Sequence, residues 1–366
     1  MLDFTYKANP ATVLFGSGTI RKVPGELARL KLSKPLILCT PQQTAQANDL
    51  RTILNSADAA DGQRIAVAGF FDQATMHTPV AVTEQAIAVT KDLACDCVVS
   101  IGGGSTIGLG KALSVRTGLY HMCIPTTYAG SEMTPILGET QDGRKTTRSD
   151  PTILPDSVIY DVDLTMTLPA SLSATSGVNA IAHAVEALYA RNGNPIINLI
   201  AVEGVRALAE ALPAIVQDPS AAEPRAKALY GAWLCGTCLG SVGMSLHHKL
   251  CHTLGGSFGL SHAETHTVVL PHAVAYNAAK IPEALGLLAQ ALPDSDGDAI
   301  RGLNVLLRKL GVTRDLKTLG LKGEDVSKAA DIAVSNPYWN PRDIERAPIE
   351  ELIRRAWVGE DARADL

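Results

Sequence analysis

A short apolar run that leads straight into a glycine-rich turn constrains this fold more than any other feature. Cys97-Val98-Val99-Ser100-Ile101 has the composition of a buried strand, Gly102-Gly103-Gly104-Ser105 follows at once, and a helical pattern continues through Lys111-Ala112-Leu113. Glycines at such a turn let the backbone approach a phosphate, whose charge is met by N–H groups and the helix dipole. The turn departs from the G-x-G-x-x-G fingerprint, and locally it fits ligand binding and a simple tight turn equally well.

The same alternation of buried strands and helices fills the chain up to about residue 160. Short apolar runs bounded by turn residues predict the strands, and the pattern from Thr83 to Leu93 predicts one of the intervening helices. Alternation of this kind indicates a parallel, doubly wound sheet that is covered on both faces. The predicted strands are 12–15, 36–39, 65–68, 97–101, 122–125 and 158–161.

From Pro169 onward the pattern changes to long helical stretches. The predicted helices are 173–190, 195–212, 221–246, 299–310 and 349–356. A chain of 366 residues is too long for one typical core and suits two domains. We therefore predict an α/β domain over 1–161 and an all-helical domain over 162–366, with the substrate and catalytic groups in the second.

Composition and charge narrow the kinds of partner that are expected. The hydrophobic fraction is 46%, the net charge is −5, and no basic run occurs, so nucleic acid is not expected as a partner. The N-terminal segment lacks the layout of a signal peptide, and no apolar run reaches membrane-spanning length. Cys95-x-Cys97 and Cys235-x-x-Cys238 lie in apolar runs, which favours buried free thiols over metal or redox work. These features predict a reduced, cytoplasmic protein without a membrane partner.

A cluster of histidines marks the candidate active site. Four of the nine histidines, His247, His248, His252 and His262, fall within sixteen residues. His248 and His252 are four residues apart, as are Asn179 and His183, so each pair lies on one face of a helix. We expect Gly255-Gly256 to end or distort the second helix and His262 to come from the loop beyond it. A lone histidine is more often an ordinary core or surface residue, but buried imidazoles in two such pairs are costly without a task.

These motifs resemble the iron-containing (group III) alcohol dehydrogenase family, in which Asp-x3-His and two histidines fourteen residues apart hold a divalent metal. His183, His248 and His262 match the three histidine ligands, whereas Asn179 stands at the aspartate position. The sequences around Asn179 and His247 resemble the branch that reduces maleylacetate, whose members are described as working without a metal. The resemblance covers nearly the whole chain. It implies a dehydroquinate synthase-like architecture with a Rossmann-like α/β domain, a homodimer, and no bound metal.

The resemblance also assigns the cofactor residues. It implies that the turn Gly102, Gly103, Gly104 and Ser105 binds the phosphates of NADH or NADPH, and that Thr126, Thr127, Ser131 and Lys145 contact the cofactor. From the residues alone, the hydroxyls after the 122–125 strand suit phosphate contacts or capping of the next helix equally well. Gly108 replaces an aspartate that is usual in the family. The segment after the 36–39 strand, Thr40-Pro41-Gln42-Gln43, carries no acid that would repel a 2′-phosphate, so both cofactors are compatible with it.

The implied reaction is hydride transfer to the double bond of maleylacetate, a dicarboxylate, in the breakdown of aromatic compounds. The resulting enolate needs nearby positive charge and a proton. His252 or His248 is the candidate proton donor, because imidazole titrates near working pH. Lys249 is a candidate to stabilise the enolate or hold a carboxylate, although an exposed helix lysine is the alternative, and Arg342 is a candidate second cation.

Three other functions remain open at this point. The first is a metal-dependent alcohol dehydrogenase that uses iron or zinc. The second is a lyase of the dehydroquinate synthase type, which would turn over without net consumption of cofactor. The third is a nucleotide-binding protein that keeps the fold without catalysis. The complete glycine turn and the set of histidines argue against the third.

Overall fold

The computed structural model describes residues 4–9, 11–57, 64–141 and 144–366, without the side chains of residues 144 and 145. The chain divides into two compact units. One comprises residues 9–168, and the other comprises residues 169–366 together with the described residues up to Ala8. The division lies after Leu168 rather than near residue 162. Asp161 explains this difference, because its carboxylate accepts the backbone N–H groups of Gly18, Ile20 and Asp163 and so ties the following short helix to the first unit.

The first unit is built on a six-stranded parallel sheet, as the alternating pattern predicts. Its strands, in the spatial order β1-β8-β5-β4-β2-β3, are β1 Thr12–Gly16, β2 Pro35–Leu38, β3 Gly69–Phe71, β4 Cys97–Gly102, β5 Tyr120–Pro125 and β8 Ser157–Asp161. Its helices are α1 Val23–Arg29, α2 Thr44–Ser56, α3 Val80–Asp92 and α4 Gly104–Thr117. The chain order reverses direction between β2 and β4, and ligands of open α/β sheets bind beside the carboxyl ends of strands at such a point.

Apolar layers cover both faces of this sheet. In β2, Ile37 joins one buried cluster, whereas Leu36 and Leu38 join another. In β4, Val99 and Val98 divide between the same two clusters. This alternation follows from the two-residue period of a strand and explains why both runs read as continuously hydrophobic.

The second unit is helical throughout the described residues of 169–366. Its helices are α5 Ala170–Ala187, α6 Pro195–Gln217, α7 Ala222–Ser241, α8 Leu246–Phe258, α9 His262–Asn277, α10 Pro282–Ala291, α11 Ala299–Leu310, α12 Asp325–Ser335 and α13 Arg346–Val358. One core forms where α8, α9, α12 and α13 meet, and it includes Leu250, Val269 and Leu352, each no more than 1% exposed.

Two predicted elements of the first unit differ from the structure. The predicted strand 65–68 is wrong, because the strand that pairs with β2 is Gly69–Phe71. Ile65 is apolar because it packs in the core beside Leu50 and Leu54, not because it belongs to the sheet. An antiparallel hairpin, β6 Ile136–Gln141 with β7 Arg144–Ser149, was not predicted.

The predicted helix 221–246 is too long, because α7 ends at Ser241 and α8 begins at Leu246 after a bend of 95°. The break is stabilised by tertiary acceptors: Gly243 N–H donates to Asn192 Oδ1, and Ser245 N–H donates to Glu186 Oε2. No single helix among the described residues is long and apolar enough to cross a membrane, and only the bent pair α7 and α8 has that length and composition together.

Candidate active site

The glycine turn at the end of β4 forms a cradle at the N-terminus of α4. A Cβ added to Gly102 would lie 2.4 Å from Gln43 Oε1, and one added to Gly103 would lie 3.0 Å from Thr127 Cγ2. A Cβ added to Gly104 would meet no atom within 4 Å. The cradle is therefore walled at its first two glycines and open at the first residue of the helix. That shape fits a phosphate held by N–H groups and the dipole of a 14-residue helix.

Gln43, which the sequence did not single out as a contact, links the strands around this cradle. Its Nε2 donates to Thr126 Oγ1 over 2.9 Å, and its Oε1 accepts from Thr40 Oγ1 over 3.1 Å. Thr126 is 4% exposed, so its hydroxyl belongs to the wall of the cradle. Neutral side chains thus line the crevice beside the ends of β2 and β4.

The backbone oxygen of Ser131 holds the loop after β5 in place by accepting a hydrogen bond from Lys111. The fully buried Lys111 donates to the backbone oxygens of Ser131 (2.5 Å) and Ile136 (3.0 Å) and to Thr134 Oγ1 (2.9 Å). Burial lowers the pKa of Lys111 to about 8. A cofactor contact by Ser131 stays a prediction, and the side chain of Lys145 lies outside the described residues.

The structure explains the glycine at position 108. A Cβ added there would lie 2.4 Å from Thr78 Oγ1. Thr78 itself has a φ of 45°, in a region that β-branched residues rarely adopt. The aspartate usual in the family would not fit beside this turn.

The predicted histidine cluster forms within the helical unit. α5 carries Asn179 and His183, and α8 carries His248 and His252. Asn179, His183 and His248 are 3 to 4% exposed, His252 is half-buried, and His262 is exposed. The predicted loop position of His262 is wrong, since it is the first residue of α9. The Gly255-Gly256 pair lies inside α8. The helix ends instead at Phe258, and the residue that caps it, Gly259, has a φ of 71°.

A chain of hydrogen bonds runs through the buried part of this cluster. Glu186 Oε2 lies 2.7 Å from His248 Nδ1, and His248 Nε2 lies 2.9 Å from His183 Nδ1. Glu186 is fully buried and also accepts the backbone N–H groups of Ser245 and His247, which stabilises its ionised form. The carboxylate therefore accepts a hydrogen bond from the Nδ1–H of His248, and His248 Nε2 accepts one from the Nδ1–H of His183.

Burial keeps the deep imidazoles neutral. It lowers the pKa of His248 to about 3 and that of His247 to about 4. The same burial raises the pKa of Glu186 above its ordinary value. His183 Nε2 faces Asn179 Nδ2 at 3.5 Å, a weak contact, while Asn179 Oδ1 is buried without a hydrogen-bond partner among the described residues. The NH2 group of Asn179 therefore faces His183.

One histidine of the cluster was missed. His266 is fully buried, and its ring centroid lies 4.2 Å from that of His262 and 5.0 Å from that of His248. His247 is also fully buried, with its ring 4.8 Å from that of His266. Among the described residues neither ring nitrogen of His266 has a partner. The signal was present, because His266 stands four residues after His262, the spacing already used for the other pairs.

The half-buried edge of the cluster contains a tyrosine that was also missed. Tyr338 Oη lies 2.9 Å from His252 Nδ1, and Lys249 Nζ lies 5.7 Å from the centroid of the Tyr338 ring. Burial lowers the pKa of Lys249. The predicted grouping of Lys249 with His252 is thus observed, with an aromatic side chain next to both.

Arg342, the candidate second cation, contacts the backbone of the helical unit. Its guanidinium donates to the backbone oxygens of Tyr276 and Leu366 and lies 4.1 Å over the Tyr276 ring. These contacts fasten the C-terminal residue to α9. Nη1 of Arg342 is thus engaged with backbone oxygens, and a role of this side chain in substrate binding stays a prediction.

The residues at the family's metal position differ from the family's ligand set in charge and in arrangement. Asn179 supplies no negative charge, and the bond between His183 and His248 places a proton between two of the three imidazole ligands. Among the described residues, the groups whose ligand atoms lie within 4.8 Å of one another are Glu186, His247 and His248, and His247, Cys251 and His266. The set His183, His248 and His262 is not one of these groups.

A doubly wound sheet with an open glycine cradle, followed in the chain by a helical unit with a histidine cluster, fits a nicotinamide-dependent oxidoreductase, and the family comparison agrees. The chain belongs to the iron-containing alcohol dehydrogenase family. Residues 10–162 match the family model for iron-containing alcohol dehydrogenase, and residues 173–357 match that for the C-terminal part of the Fe-containing alcohol dehydrogenase family. The resemblance that the histidine motifs predicted is confirmed.

Relatives of known name agree over almost the full length. The maleylacetate reductase of Rhizobium sp. (strain MTP-10005) is 50% identical over 98% of this chain and 99% of its own. That of Sphingobium indicum is 49% identical over 98% of both chains. The crystal structure of maleylacetate reductase from Agrobacterium tumefaciens matches with a TM-score of 0.93 and 51% identity, covering 99% of this chain and 100% of that chain.

Proposed function

We propose that the protein reduces the carbon–carbon double bond of maleylacetate with NADH or NADPH and yields 3-oxoadipate, a step in the breakdown of aromatic compounds. Relatives that bear this activity in their names are about half identical over nearly the whole chain. Within the site, the observation that carries the proposal is the grouping of His252, Lys249 and Tyr338 beside neutral buried imidazoles. An enone acceptor needs such a group of proton donors and positive charge more than it needs a Lewis acid.

A nicotinamide cofactor held by the glycine cradle would supply the hydride for the alkene carbon that is β to the ketone. The electron pair of the double bond moves to give an enolate. Lys249, on the same helix as His252, offers positive charge to the enolate oxygen or to a substrate carboxylate. A proton from His252 to the α carbon completes the product, and solvent then returns a proton to the imidazole.

The deep imidazoles hold the site in one arrangement. Glu186 fixes the ring of His248, and His248 fixes the ring of His183. Asn179 Oδ1 is a buried acceptor without a protein partner among the described residues, and such an atom costs about 1 to 3 kcal/mol when it stays unpaired. A donor from the substrate or the cofactor relieves this cost in the working complex.

We also propose that the reaction needs no metal. The support is the neutral Asn179 at the aspartate position and the direct hydrogen bond between two of the family's ligand histidines. Enzyme dialysed against a strong chelator should keep its full activity, and elemental analysis should find far less than one metal per chain. Loss of activity that returns with added zinc or ferrous iron would favour the metal-dependent alcohol dehydrogenase instead.

The test of the activity itself is a spectrophotometric assay with maleylacetate and each cofactor in turn. We expect loss of the reduced nicotinamide absorbance with one 3-oxoadipate formed per cofactor consumed, and much slower reaction with an unbranched aldehyde. Equal or faster turnover of the aldehyde would contradict the proposal. Turnover of a substrate without net cofactor consumption would favour the lyase.

We further propose that the protein acts in the cytoplasm as a homodimer. The seven cysteines are free thiols. Six of them are buried and Cys95 is half-buried, which suits a reducing compartment. The dimer rests on the family resemblance alone. Light scattering on the purified protein should give twice the 38.5 kDa mass of the chain.

A further inference from the structure

We propose that Lys111 is a positioning residue for the cofactor, which fixes the loop after β5 (residues 126–135) against α4 so that the walls of the glycine cradle keep their spacing. This inference rests on the proposed function for the identity of the cofactor, whereas the contacts that carry it lie within the sheet unit, residues 9–168. Lys111 lies on α4, seven residues after Gly104, and is fully buried. A lysine is almost never fully buried unless its ammonium group has partners.

Each proton of the Lys111 ammonium group has an acceptor on this loop or on the first residue of β6. The Nζ atom lies 2.5 Å from the backbone oxygen of Ser131, 2.9 Å from Thr134 Oγ1 and 3.0 Å from the backbone oxygen of Ile136. An ammonium group has three protons to donate, so these contacts use all of them. The loop also closes on itself, because the Thr134 hydroxyl donates to the Ser131 backbone oxygen over 3.1 Å. One side chain of α4 thus holds the segment 131–136 at three points.

The first residues of the same loop form a wall of the glycine cradle. The backbone N–H of Thr126 donates to the Gly102 carbonyl over 3.0 Å, and a Cβ added to Gly103 would lie 3.0 Å from Thr127 Cγ2. These contacts join the loop to the N-terminus of α4, and Lys111 joins it to the same helix about 10 Å further along the axis. Two attachments to one helix fix the orientation of the loop, whereas a single one would let it pivot.

The charge of Lys111 has no direct carboxylate partner among the described residues. Glu132, on the same loop, is also fully buried, but its Oε1 accepts from the Tyr160 hydroxyl over 2.8 Å. Burial lowers the pKa of Lys111 to about 8, and the nearby negative charge of Glu132 offsets only part of this effect. A neutral amine turns a lone pair towards an acceptor oxygen that had received a proton. The attachment of the loop to α4 therefore weakens when Lys111 loses its charge.

The other titratable groups around Lys111 lie on β5, on β8 and on the loop itself. Burial raises the pKa values of Cys123 and Tyr160 well above their ordinary values and lowers the pKa of His121 to about 3, so none of the three titrates near pH 8. Burial also raises the pKa of Glu132, whereas its hydrogen bond with Tyr160 and the charge of Lys111 lower it. Among these groups, Lys111 is the one whose charge changes near pH 8.

The experiment measures the Kd for NADH by fluorescence titration, without substrate, in two variants and a control. Lys111→Met keeps an apolar stem without the donors, so we expect the Kd at pH 7 to rise about 10-fold or more. The kcat at saturating NADH should stay within about 3-fold, because the lysine touches no reacting atom. Thr134→Val removes one of the three acceptors and should raise the Kd about 3-fold. Lys91→Met, which removes an exposed lysine from the neighbouring α3, should leave the Kd unchanged.

A pH profile of the same Kd separates positioning by Lys111 from a merely structural role. The wild-type Kd should be nearly constant below about pH 7 and rise above about pH 8, whereas that of Lys111→Met should stay flat at its higher value. A wild-type Kd that is flat up to about pH 9.5, or a rise that persists in Lys111→Met, overturns the proposal. A wild-type NADH affinity in Thr134→Val also overturns it, and this variant decides the matter if Lys111→Met does not fold. A wild type that binds NADH with this pH profile but does not reduce maleylacetate contradicts the proposed function alone.

Discussion

His252 differs from the other histidines of the cluster in exposure, and that difference assigns its role. His247, His248 and His266 lie in the core, where burial lowers each pKa far below the ordinary value for imidazole. They are therefore neutral at working pH. His252 is half-buried and lies near Lys249 on the same helix, which is why we assign the proton donor to it.

Replacing His252 tests that assignment. His252→Phe should lower kcat by a factor on the order of 10² to 10⁴, because general acid catalysis contributes that much. NADH binding, followed by fluorescence titration, should be nearly unchanged, since the glycine cradle belongs to the other unit. An unchanged kcat would move the role of proton donor to His248 or to water.

Asn179 makes the family's metal position neutral, because it replaces the anionic aspartate. Asn179→Asp adds an anionic ligand beside three histidines, so we expect tighter zinc or iron binding and a slower reductase reaction, because a bound cation holds the imidazoles unprotonated. Isothermal titration with zinc and a parallel assay measure both effects. Asn192→Asp, which adds the same charge at an exposed position, should change neither. Equal zinc affinity in the two variants would show that the aspartate position does not control the metal.

At the scale of elements, the N-terminus of α4 carries a prediction about the cofactor. A Cβ at Gly104 meets no protein atom, so Gly104→Ala should fold normally and yet occupy the space that a phosphate needs. We expect a rise in the KM for NADH of about 10-fold or more, equivalent to at least 1.4 kcal/mol of binding. Gly25→Ala, another helical glycine with open space around it, is the matched control. An unchanged KM in Gly104→Ala would place the phosphates elsewhere.

α8 begins in an unusual way, and this gives a prediction about stability. The side chain of Ser245, its N-cap residue, does not cap the helix. Instead, the backbone N–H groups of Ser245 and His247 donate to the carboxylate of Glu186 on α5. Glu186→Ala leaves buried donors unpaired, so we expect a loss of about 3 kcal/mol or more in the free energy of unfolding. Denaturation with urea measures this loss. A loss below about 1 kcal/mol would mean that water replaces the carboxylate.

For the whole molecule, buried neutral histidines predict sensitivity to acid. Burial lowers the pKa of His121 in the sheet unit to about 3 and that of His272 in the helical unit to about 4. Each binds a proton in the unfolded chain below about pH 6.5 but not in the folded one, so stability is lost as the pH falls from about 6.5 to 4. The loss per group is at most about 1.4 kcal/mol per pH unit.

The raised pKa of the buried Glu132 acts in the opposite direction, so a difference between variants is the clean measurement. His272→Met should reduce the fall in the urea midpoint between pH 7 and pH 5. A fall as steep as that of the wild type would show that His272 does not contribute.

Local spacing in the sequence determined much of this protein. The strand, glycine turn and helix at 97–117 follow from apolar composition and glycine alone, and the face shared by His248 and His252 follows from the pitch of a helix. Such features depend on residues only a few positions apart, so they can be predicted directly from the sequence. The same holds for the parallel sheet, which a repeated alternation of short strands and helices requires.

Only the tertiary structure decided which side chains complete the site. Tyr338 reaches His252 across 86 residues, and Glu186 reaches His248 across 62. The sequence offers Arg342 as a candidate cation for a substrate carboxylate, but only the structure shows that its Nη1 donates to the backbone oxygens of Tyr276 and Leu366. Periodicity gives the face on which a residue lies, whereas its partner depends on how separate elements pack against one another. That packing is a property of the whole core, and no local pattern records it.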